Sequence, residues 1–142
     1  MADSTTKSLL VIVSAPSGGG KTTLCEKTIA TTPGTVRAIT CTTRPPREGE
    51  RDGVDYYFLE DSVFRERVKS GAFLEYATVH GKRFGTLNRE VLEKLGQGSD
   101  VLLSIDVQGA ATIRQRAESE PDLKRAKNPF YNLMMFPYPS AE

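Results

Sequence analysis

Residues 11 to 23 read VIVSAPSGGGKTT, in which a glycine-rich turn is followed by a lysine and two hydroxyl side chains. In the pattern G-x-x-x-x-G-K-[ST], backbone N–H groups surround a phosphate, the lysine reaches its outer oxygens, and the Ser or Thr hydroxyl ligates magnesium. Lys21 and Thr22 occupy those two positions, whereas Ala15 stands where the pattern has its first glycine. Alanine fits there if its φ is negative, so the loop is expected to hold nucleoside triphosphate phosphates.

The sequence on either side of this loop has the character that the motif requires. The apolar run LLVIV predicts a buried strand before it, and KTTLCEKTIATT predicts a helix after it. A flexible glycine-rich loop without a ligand is the alternative. The predicted contacts to the ATP phosphates are Ala15, Pro16, Ser17, Gly18, Gly19, Gly20, Lys21, Thr22 and Thr23.

An acidic residue stands at the end of a second apolar run. Asp106 closes DVLLSID, and in P-loop proteins such a residue approaches the magnesium of the nucleotide from a neighbouring strand. Any strand can end in aspartate, so this prediction depends on the loop as well. Together they predict Mg²⁺ bound with ATP, with Thr22 and Asp106 as protein ligands.

A second candidate anion site lies in the segment TTRPPREGERDGVDYYF. Arg44 and Arg47 are three residues apart on a chain stiffened by prolines, and their guanidinium groups can donate to a phosphate in a forked geometry. The hydroxyl of a nearby tyrosine adds a possible third contact. A solvated surface loop is the alternative interpretation of the same residues.

The elements that must position these residues follow from periodicity and turn residues. Strands are predicted at 9–13, 36–44, 55–60, 72–80, 83–87 and 100–106, and helices at 21–32, 62–70, 89–97 and from about Gln108. Asp61 or Ser62 is expected to cap the second helix and Asn88 the third, with Gly71 and Gly98 at their ends. A hairpin is expected around Gly81. The N-terminal and C-terminal parts of the chain are therefore predicted to form α/β structure. A small mixed sheet and one helix are predicted to be inserted between them, over about residues 38 to 87.

Composition narrows the class of protein. The 142 residues suffice for one compact domain, and a net charge of +1 gives no electrostatic signature for nucleic acid or an acidic membrane surface. Cys25, Cys41 and the single His80 do not make a zinc pattern, and no run is long enough to span a bilayer. We therefore expect a soluble cytoplasmic protein without nucleic-acid or membrane partners.

Four segments occur in the order and spacing of a known family: SAPSGGGKTT, TTRPPREGERDGVDYYF, GAFLEYATVHGKRFGT and SIDVQGA. Through them the chain resembles guanylate kinase over about residues 8 to 125. The resemblance implies an α/β fold in which a parallel sheet core, like that of P-loop nucleoside monophosphate kinases, carries an inserted small mixed α/β GMP-binding lobe. It places the core at residues 1–37 and 98–142 and the lobe at 38–97. It also implies transfer of the ATP γ-phosphoryl group to GMP, giving GDP and ADP, in purine metabolism.

The resemblance implies a role for individual residues. Arg44, Arg47 and Tyr56 match contacts to the GMP phosphate, and Glu75 matches the acceptor for the N–H edge of guanine. A carboxylate that accepts from N1 and N2 would reject adenine. The remaining matched guanine contacts are Thr40, Thr86 and Asp106, and the predicted catalytic residues are Lys21, Arg44 and Arg47.

The chain departs from the family pattern at three places. Phe84 replaces a tyrosine that contacts the GMP phosphate, so we expect weaker GMP binding with unchanged specificity. Ser104 replaces one member of an acidic pair, which leaves magnesium to Thr22, Asp106 and water. After about Ala126 the lid and the last core helices are not matched. A missing arginine in such a site can cost about 10³ to 10⁵ in rate, so an impaired kinase is expected.

Two other functions remain compatible with these residues. One is a non-catalytic, guanylate-kinase-like binding module, which the intact Lys21 and Thr22 argue against and the unmatched lid argues for. The other is a related P-loop kinase of a phosphorylated sugar, and here Glu75, Thr40 and Thr86 favour guanine as the acceptor.

Overall fold

A computed structural model of the protein describes residues 8–14 and 21–116, without the side chains of residues 21 and 22. The strands are β1 (Leu10–Ser14), β2 (Thr35–Arg37), β3 (Cys41–Thr42), β4 (Tyr57–Phe58), β5 (Phe73–Val79), β6 (Lys82–Leu87) and β7 (Asp100–Ile105). The helices are α1 (Lys21–Thr31), α2 (Asp61–Lys69), α3 (Asn88–Gly96) and α4 (Val107–Arg116).

Three parallel strands in the order β1-β7-β2 form what we term the core sheet. Parallel sheets are covered on both faces, which explains the continuous apolar runs of β1 and β7. On one face Val13 and Leu102 pack with Cys25 of α1. On the other face Ile12 and Leu103 belong to the main core, which includes Val91 of α3 and two residues of α4, Ala110 and Ile113. The expected parallel core is therefore present.

Four strands in the order β4-β3-β6-β5 form a second sheet, which we term the lobe sheet. Only β3 and β4 pair in parallel, and the other pairs are antiparallel. One face of this sheet packs against α2, where Cys41, Phe64 and Phe73 form a separate small core. The predicted hairpin is confirmed as β5 and β6, joined by a turn in which Gly81 has a φ of 77°.

The prediction of a single strand at 36–44 is wrong, because the structure divides these residues between the two sheets. β2 ends at Arg37 in the core sheet, and β3 begins at Cys41 in the lobe sheet. The Ala38 N–H still donates to Leu102 O, at 2.9 Å, but the Ile39 N–H donates to a side chain of α3 instead. Apolar residues continue through the crossing, so the sequence pattern does not show it.

The predicted helix caps are also corrected. α2 begins at Asp61 and α3 at Asn88, so the N-cap positions are Glu60 and Leu87, and neither forms a side-chain cap hydrogen bond. The Asn88 side chain donates to Gly71 O at 3.3 Å instead, which ties the start of α3 to the turn after α2. Gly71, with a φ of 74°, does follow the end of α2 as expected.

Candidate active site

The face of the lobe sheet that α2 does not cover, which we term the free face, carries three of the eight predicted acceptor-binding residues: Glu75, Phe84 and Thr86. On β6, Phe84 and Thr86 flank Gly85, and successive residues of a strand face opposite sides of a sheet. A Cβ added at Gly85 would meet Phe64 and Phe73 on the α2 side, so Phe84 and Thr86 face the other side. Glu75 is the register partner of Thr86, so the two residues share the free face of the sheet. Side chains from two neighbouring strands therefore converge on one surface.

Glu75 and Thr86 form a buried hydrogen-bonded pair. The Thr86 Oγ1 donates to Glu75 Oε2 at 2.8 Å, and the two residues are 3% and 0% exposed. Burial raises the pKa of Glu75 from 4.5 to about 7, the Thr86 hydroxyl opposes this rise, and the nearby charge of Asp106 adds to it. Glu75 is thus a carboxyl group that keeps acceptor capacity while it is shielded from water.

A register shift between Phe73 and Glu75 marks an irregularity in β5. Such a bulge changes the direction of the following side chain. Phe73, Leu74 and Glu75 are all buried, which a regular strand with one solvent-facing side would not show. The sequence alternation alone could not have placed Glu75, because the extra residue breaks the two-residue period.

The start of α4 closes over Glu75. A Cβ added at Gly109 would overlap Glu75 Oε1 and would lie 3.1 Å from its Cδ. The Gly109 N–H donates to Asp106 Oδ1 at 3.0 Å, so Asp106 satisfies a free N–H of the first helical turn. Farther along α4, Arg116 Nη1 donates to Phe73 O and Leu74 O, at 2.7 Å each. Sequence reasoning missed Gly109 and Arg116, and the only signal for Gly109 was its place in the SIDVQGA segment.

Arg44 and Tyr56 form a second group at the edge of the lobe sheet. The guanidinium group of Arg44 lies 5.1 Å from the centroid of the Tyr56 ring, which contacts the Phe84 ring edge-on at 6.0 Å. The Arg44 N–H also donates to Thr42 Oγ1 at 3.2 Å. Phe84 therefore supports the ring beneath Arg44.

Glu50 organises this second group, and sequence reasoning did not identify it. Its two carboxylate oxygens accept from Arg44 Nη1 and Nη2, at 2.9 and 3.0 Å, and Oε1 also accepts from the Arg47 N–H, at 2.8 Å. The Arg44 guanidinium lowers the pKa of Glu50 to about 2, and the Arg47 amide contributes to this. The Arg47 residue itself is exposed. The structure thus brings both predicted arginines together around one carboxylate.

Thr40 lies where the chain crosses between the two sheets, one residue before β3. Its carbonyl oxygen accepts from the Tyr57 N–H at 2.9 Å, which joins the crossing to the residue after Tyr56. Thr40 is thus held by the backbone beside the strands that carry the other predicted contacts.

Residues 15–20 and the side chains of Lys21 and Thr22 lie outside the described part of the chain. Around them, β1 ends at Ser14 and α1 begins at Lys21, as the strand–loop–helix prediction requires. Ser14 is the register partner of Ile105, so Asp106 follows at the same edge of the core sheet. Thr23, the last predicted phosphate contact, is exposed.

The chemistry of Asp106 fits a magnesium ion. Its Oδ2 receives only a long contact of 3.4 Å from Gln108 Nε2 among the described hydrogen bonds, and carboxylate oxygens are ligands that Mg²⁺ prefers. Within residues 8–14 and 21–116, no group of three His, Cys, Asp or Glu could hold a metal ion by itself. A metal here would therefore need ligands from the nucleotide, water or the phosphate loop.

The family model for guanylate kinase matches residues 7–122 of the chain. The chain belongs to the guanylate kinase family. Two curated guanylate kinases illustrate the similarity. That of Anaeromyxobacter dehalogenans is 51% identical over 106 residues, covering 75% of this chain and 47% of the relative. That of Symbiobacterium thermophilum is 46% identical over 110 residues, covering 78% and 52%.

The chain spans about half the length of these curated guanylate kinases. The crystal structure of guanylate kinase from Anaplasma phagocytophilum matches with a TM-score of 0.65 and 22% identity, over 90% of this chain and 69% of that one. This likeness shows the fold, a mixed α/β fold with a parallel sheet core. No helix in the described part of this chain is long and apolar enough to cross a bilayer.

Proposed function

We propose that the chain belongs to an enzyme that transfers the γ-phosphoryl group of ATP to GMP, giving GDP and ADP. The observation that carries this proposal is the buried pair of Glu75 and Thr86 on the free face of the lobe sheet. Family membership and the strand–loop–helix unit around residues 14–21 support the same activity.

Glu75 provides the base selectivity in this proposal. Its ionised carboxylate accepts from N1–H and N2–H of guanine, while Thr86, Thr40 and Asp106 contribute further polar contacts. AMP presents an acceptor at N1 and no amine at C2, so it would give the buried carboxylate no donor beyond the Thr86 hydroxyl. Unpaired buried groups are costly, which makes this kind of pocket highly selective.

Arg44, Arg47 and Tyr56 bind the GMP phosphate in this proposal. Phe84 lacks a hydroxyl and acts through the ring contact with Tyr56, so it contributes packing and not a hydrogen bond. Because Nη1 and Nη2 of Arg44 donate to the two carboxylate oxygens of Glu50, the guanidinium group is oriented before the nucleotide binds. Positioning of this kind is the main protein contribution to phosphoryl transfer.

The ATP side depends on residues 15–23, with Lys21 at the outer phosphates and Thr22 and Asp106 as ligands of Mg²⁺. The bound ion would neutralise charge on the phosphate oxygens. Asp106 has a second task in the fold, because its Oδ1 caps α4 at Gly109. One carboxylate would therefore couple the metal site to the helix that closes over Glu75.

Isothermal titration of the 142-residue chain with GMP, IMP and AMP tests the proposal, followed by an ADP-release assay with ATP present. We expect GMP to bind, IMP to bind more weakly because it lacks the N2 amine, and AMP not to bind. Glu75→Gln should weaken GMP binding by about 10- to 100-fold, since it removes a charged acceptor. Glu66→Gln, on an exposed position of α2, is the matched control.

Equal affinity for GMP and AMP would exclude a guanine-specific site. GMP binding with slow or negligible ADP release is the outcome expected of an impaired kinase, whereas GMP binding without any ATP binding would favour a non-catalytic binding module. Binding of a phosphorylated sugar in place of GMP would favour the related sugar kinase.

A further inference from the structure

Glu90 of α3 stands at the crossing between the two sheets and binds three groups. Its Oε2 accepts from the Ile39 N–H at 2.8 Å and from Lys94 Nζ at 2.6 Å. Its Oε1 accepts from the Tyr57 hydroxyl at 3.3 Å. The Glu90 side chain is only 9% exposed, although α3 lies at the surface of the protein. A single carboxylate therefore contacts the crossing segment, the lobe sheet and its own helix.

Lys94 extends this network to the last residue of the core sheet before the crossing. Its Nζ donates to Arg37 O at 3.1 Å as well as to Glu90. The Arg37 side chain in turn donates from Nη2 to Val54 O and Asp55 O, at 2.9 Å each. Arg37, just before the crossing, and Ile39, within it, are thus both attached to α3.

The two lobe groups held by Glu90 are neighbours of predicted GMP contacts. Ile39 precedes Thr40, and Tyr57 follows Tyr56. The Tyr57 N–H also donates to Thr40 O at 2.9 Å, which closes a loop of contacts through Glu90. A shift of the carboxylate would therefore move one contact on the guanine side and one on the phosphate side together.

Glu90 also borders a cavity of about 320 Å³, lined by residues that include Asp52, Arg67 and Arg89. A cavity with charged walls can admit water to a backbone N–H that has lost its partner. Truncation of Glu90 would then leave Ile39 solvated but no longer fixed in place. We therefore expect Ile39 to lose its fixed position, while water replaces most of the hydrogen bonding that its N–H loses.

We propose that Glu90 is a positioning residue for the GMP site, which holds the crossing and β4 so that Thr40 and Tyr56 face the same nucleotide. The proposal rests on the proposed function, since it assigns Glu90 a task in GMP binding. Glu90 itself does not touch the substrate. It acts through Ile39 and Tyr57.

Four variants of the full chain test this role: Glu90→Ala, Glu90→Gln, Tyr57→Phe and the control Glu93→Ala. Glu93 follows Glu90 by three residues on α3, its side chain is 65% exposed, and its one ion pair within the described residues is with Arg89, at 3.9 Å. We expect Glu90→Ala to raise the Kd for GMP about five- to tenfold, and Glu90→Gln, which keeps acceptor oxygen, to restore most of the affinity. Tyr57→Phe should give about a twofold change, and Glu93→Ala none.

Hydrogen exchange gives a readout that does not depend on the nucleotide. The Ile39 amide should exchange faster in Glu90→Ala than in the unaltered chain or in Glu93→Ala, while the Ala38 amide, bonded to Leu102 O, keeps its protection. The thermal midpoint of each variant reports any general loss of stability.

Two results would overturn the proposal. If Glu90→Ala lowers the thermal midpoint but leaves the Kd for GMP equal to that of Glu93→Ala, Glu90 is structural only, and the proposed function stands. If the unaltered chain binds no GMP, the proposed function fails and the positioning role fails with it, even where Ile39 exchange responds.

Discussion

The two halves of the predicted GMP site are built differently. The guanine side includes Glu75 and Thr86, which are buried in the lobe sheet, and the start of α4 lies against Glu75. The phosphate side lies on the connection between β3 and β4, where residues 45–49 are exposed. The guanine half is therefore buried, whereas the phosphate half borders solvent.

This difference fits what each half has to do. Selection among bases requires buried polar groups, because only there does a missing partner cost enough free energy to reject the wrong base. A phosphate brings its own charge and can be bound by oriented arginines at the surface. Glu50 orients Arg44 in advance, so the loop is ordered without being buried.

We expect the carboxyl groups of Glu75 and Glu50 to change stability with pH in opposite directions, and this is the largest effect that we expect. The pKa of Glu75 is raised from 4.5 to about 7, so the folded state favours its protonated form. Its contribution is fully present below pH 4.5 and is lost as pH rises through 7, a loss of about 3 kcal/mol. The pKa of Glu50 is lowered to about 2, so its contribution is present above pH 4.5 and is lost toward pH 2.

Denaturant unfolding between pH 3 and 8 checks this prediction. Glu75→Gln should flatten the decline above pH 4.5 and leave the acid limb unchanged. Glu50→Gln should flatten the acid limb only. A Glu75→Gln profile that still declines between pH 4.5 and 7 would show that Glu75 is not the buried titrating group.

The sequence predicted the units that are continuous along the chain. The strand before the loop, the helix after it and the β5–β6 hairpin each follow from a local pattern. Arg44 and Arg47 were identified as candidate phosphate contacts from their residue types and spacing, and Glu75 was identified through motif resemblance. These predictions needed no knowledge of which segments meet in space.

Two of the features that the sequence did not predict involve distant contacts. At the crossing, residues 38–40, the Ile39 N–H donates to Glu90, which lies 51 positions away in the sequence. Gly109 is needed only because Glu75 of another element lies against it. No local period carries such information, since each residue looks ordinary within its own helix or strand.

Gly109→Ala tests whether the enclosure of the guanine side matters. Alanine is the better helix former, but its Cβ would overlap the Glu75 carboxylate and displace it. Forced packing of this kind costs about 1–3 kcal/mol, so the Kd for GMP should rise about 10- to 100-fold. Titration with GMP, together with a thermal melt, measures both effects.

Gly96→Ala on α3 is the matched control, because a Cβ there meets nothing within 4 Å. A second control combines Gly109→Ala with Glu75→Ala, where the clash is absent and the alanine at 109 should no longer destabilise the fold. If Gly109→Ala binds GMP as well as Gly96→Ala does, the closing contact between α4 and Glu75 has no part in base recognition.

Salt should weaken binding at the phosphate side of the site but not at the guanine side. This is the smallest of the three effects that we expect. Raising the salt concentration from 0.1 to 1 M shortens the screening length from about 10 Å to about 3 Å, which weakens attraction between the exposed arginine loop and a phosphate. Guanosine, which has no phosphate, should bind equally well at both concentrations because Glu75 is shielded from solvent. The affinity for GMP should fall by a few-fold, toward that of guanosine. If the affinities for GMP and guanosine fall equally, the guanine side is also open to solvent. If the affinity for GMP does not fall, the loop closes over the phosphate as tightly as α4 closes over Glu75.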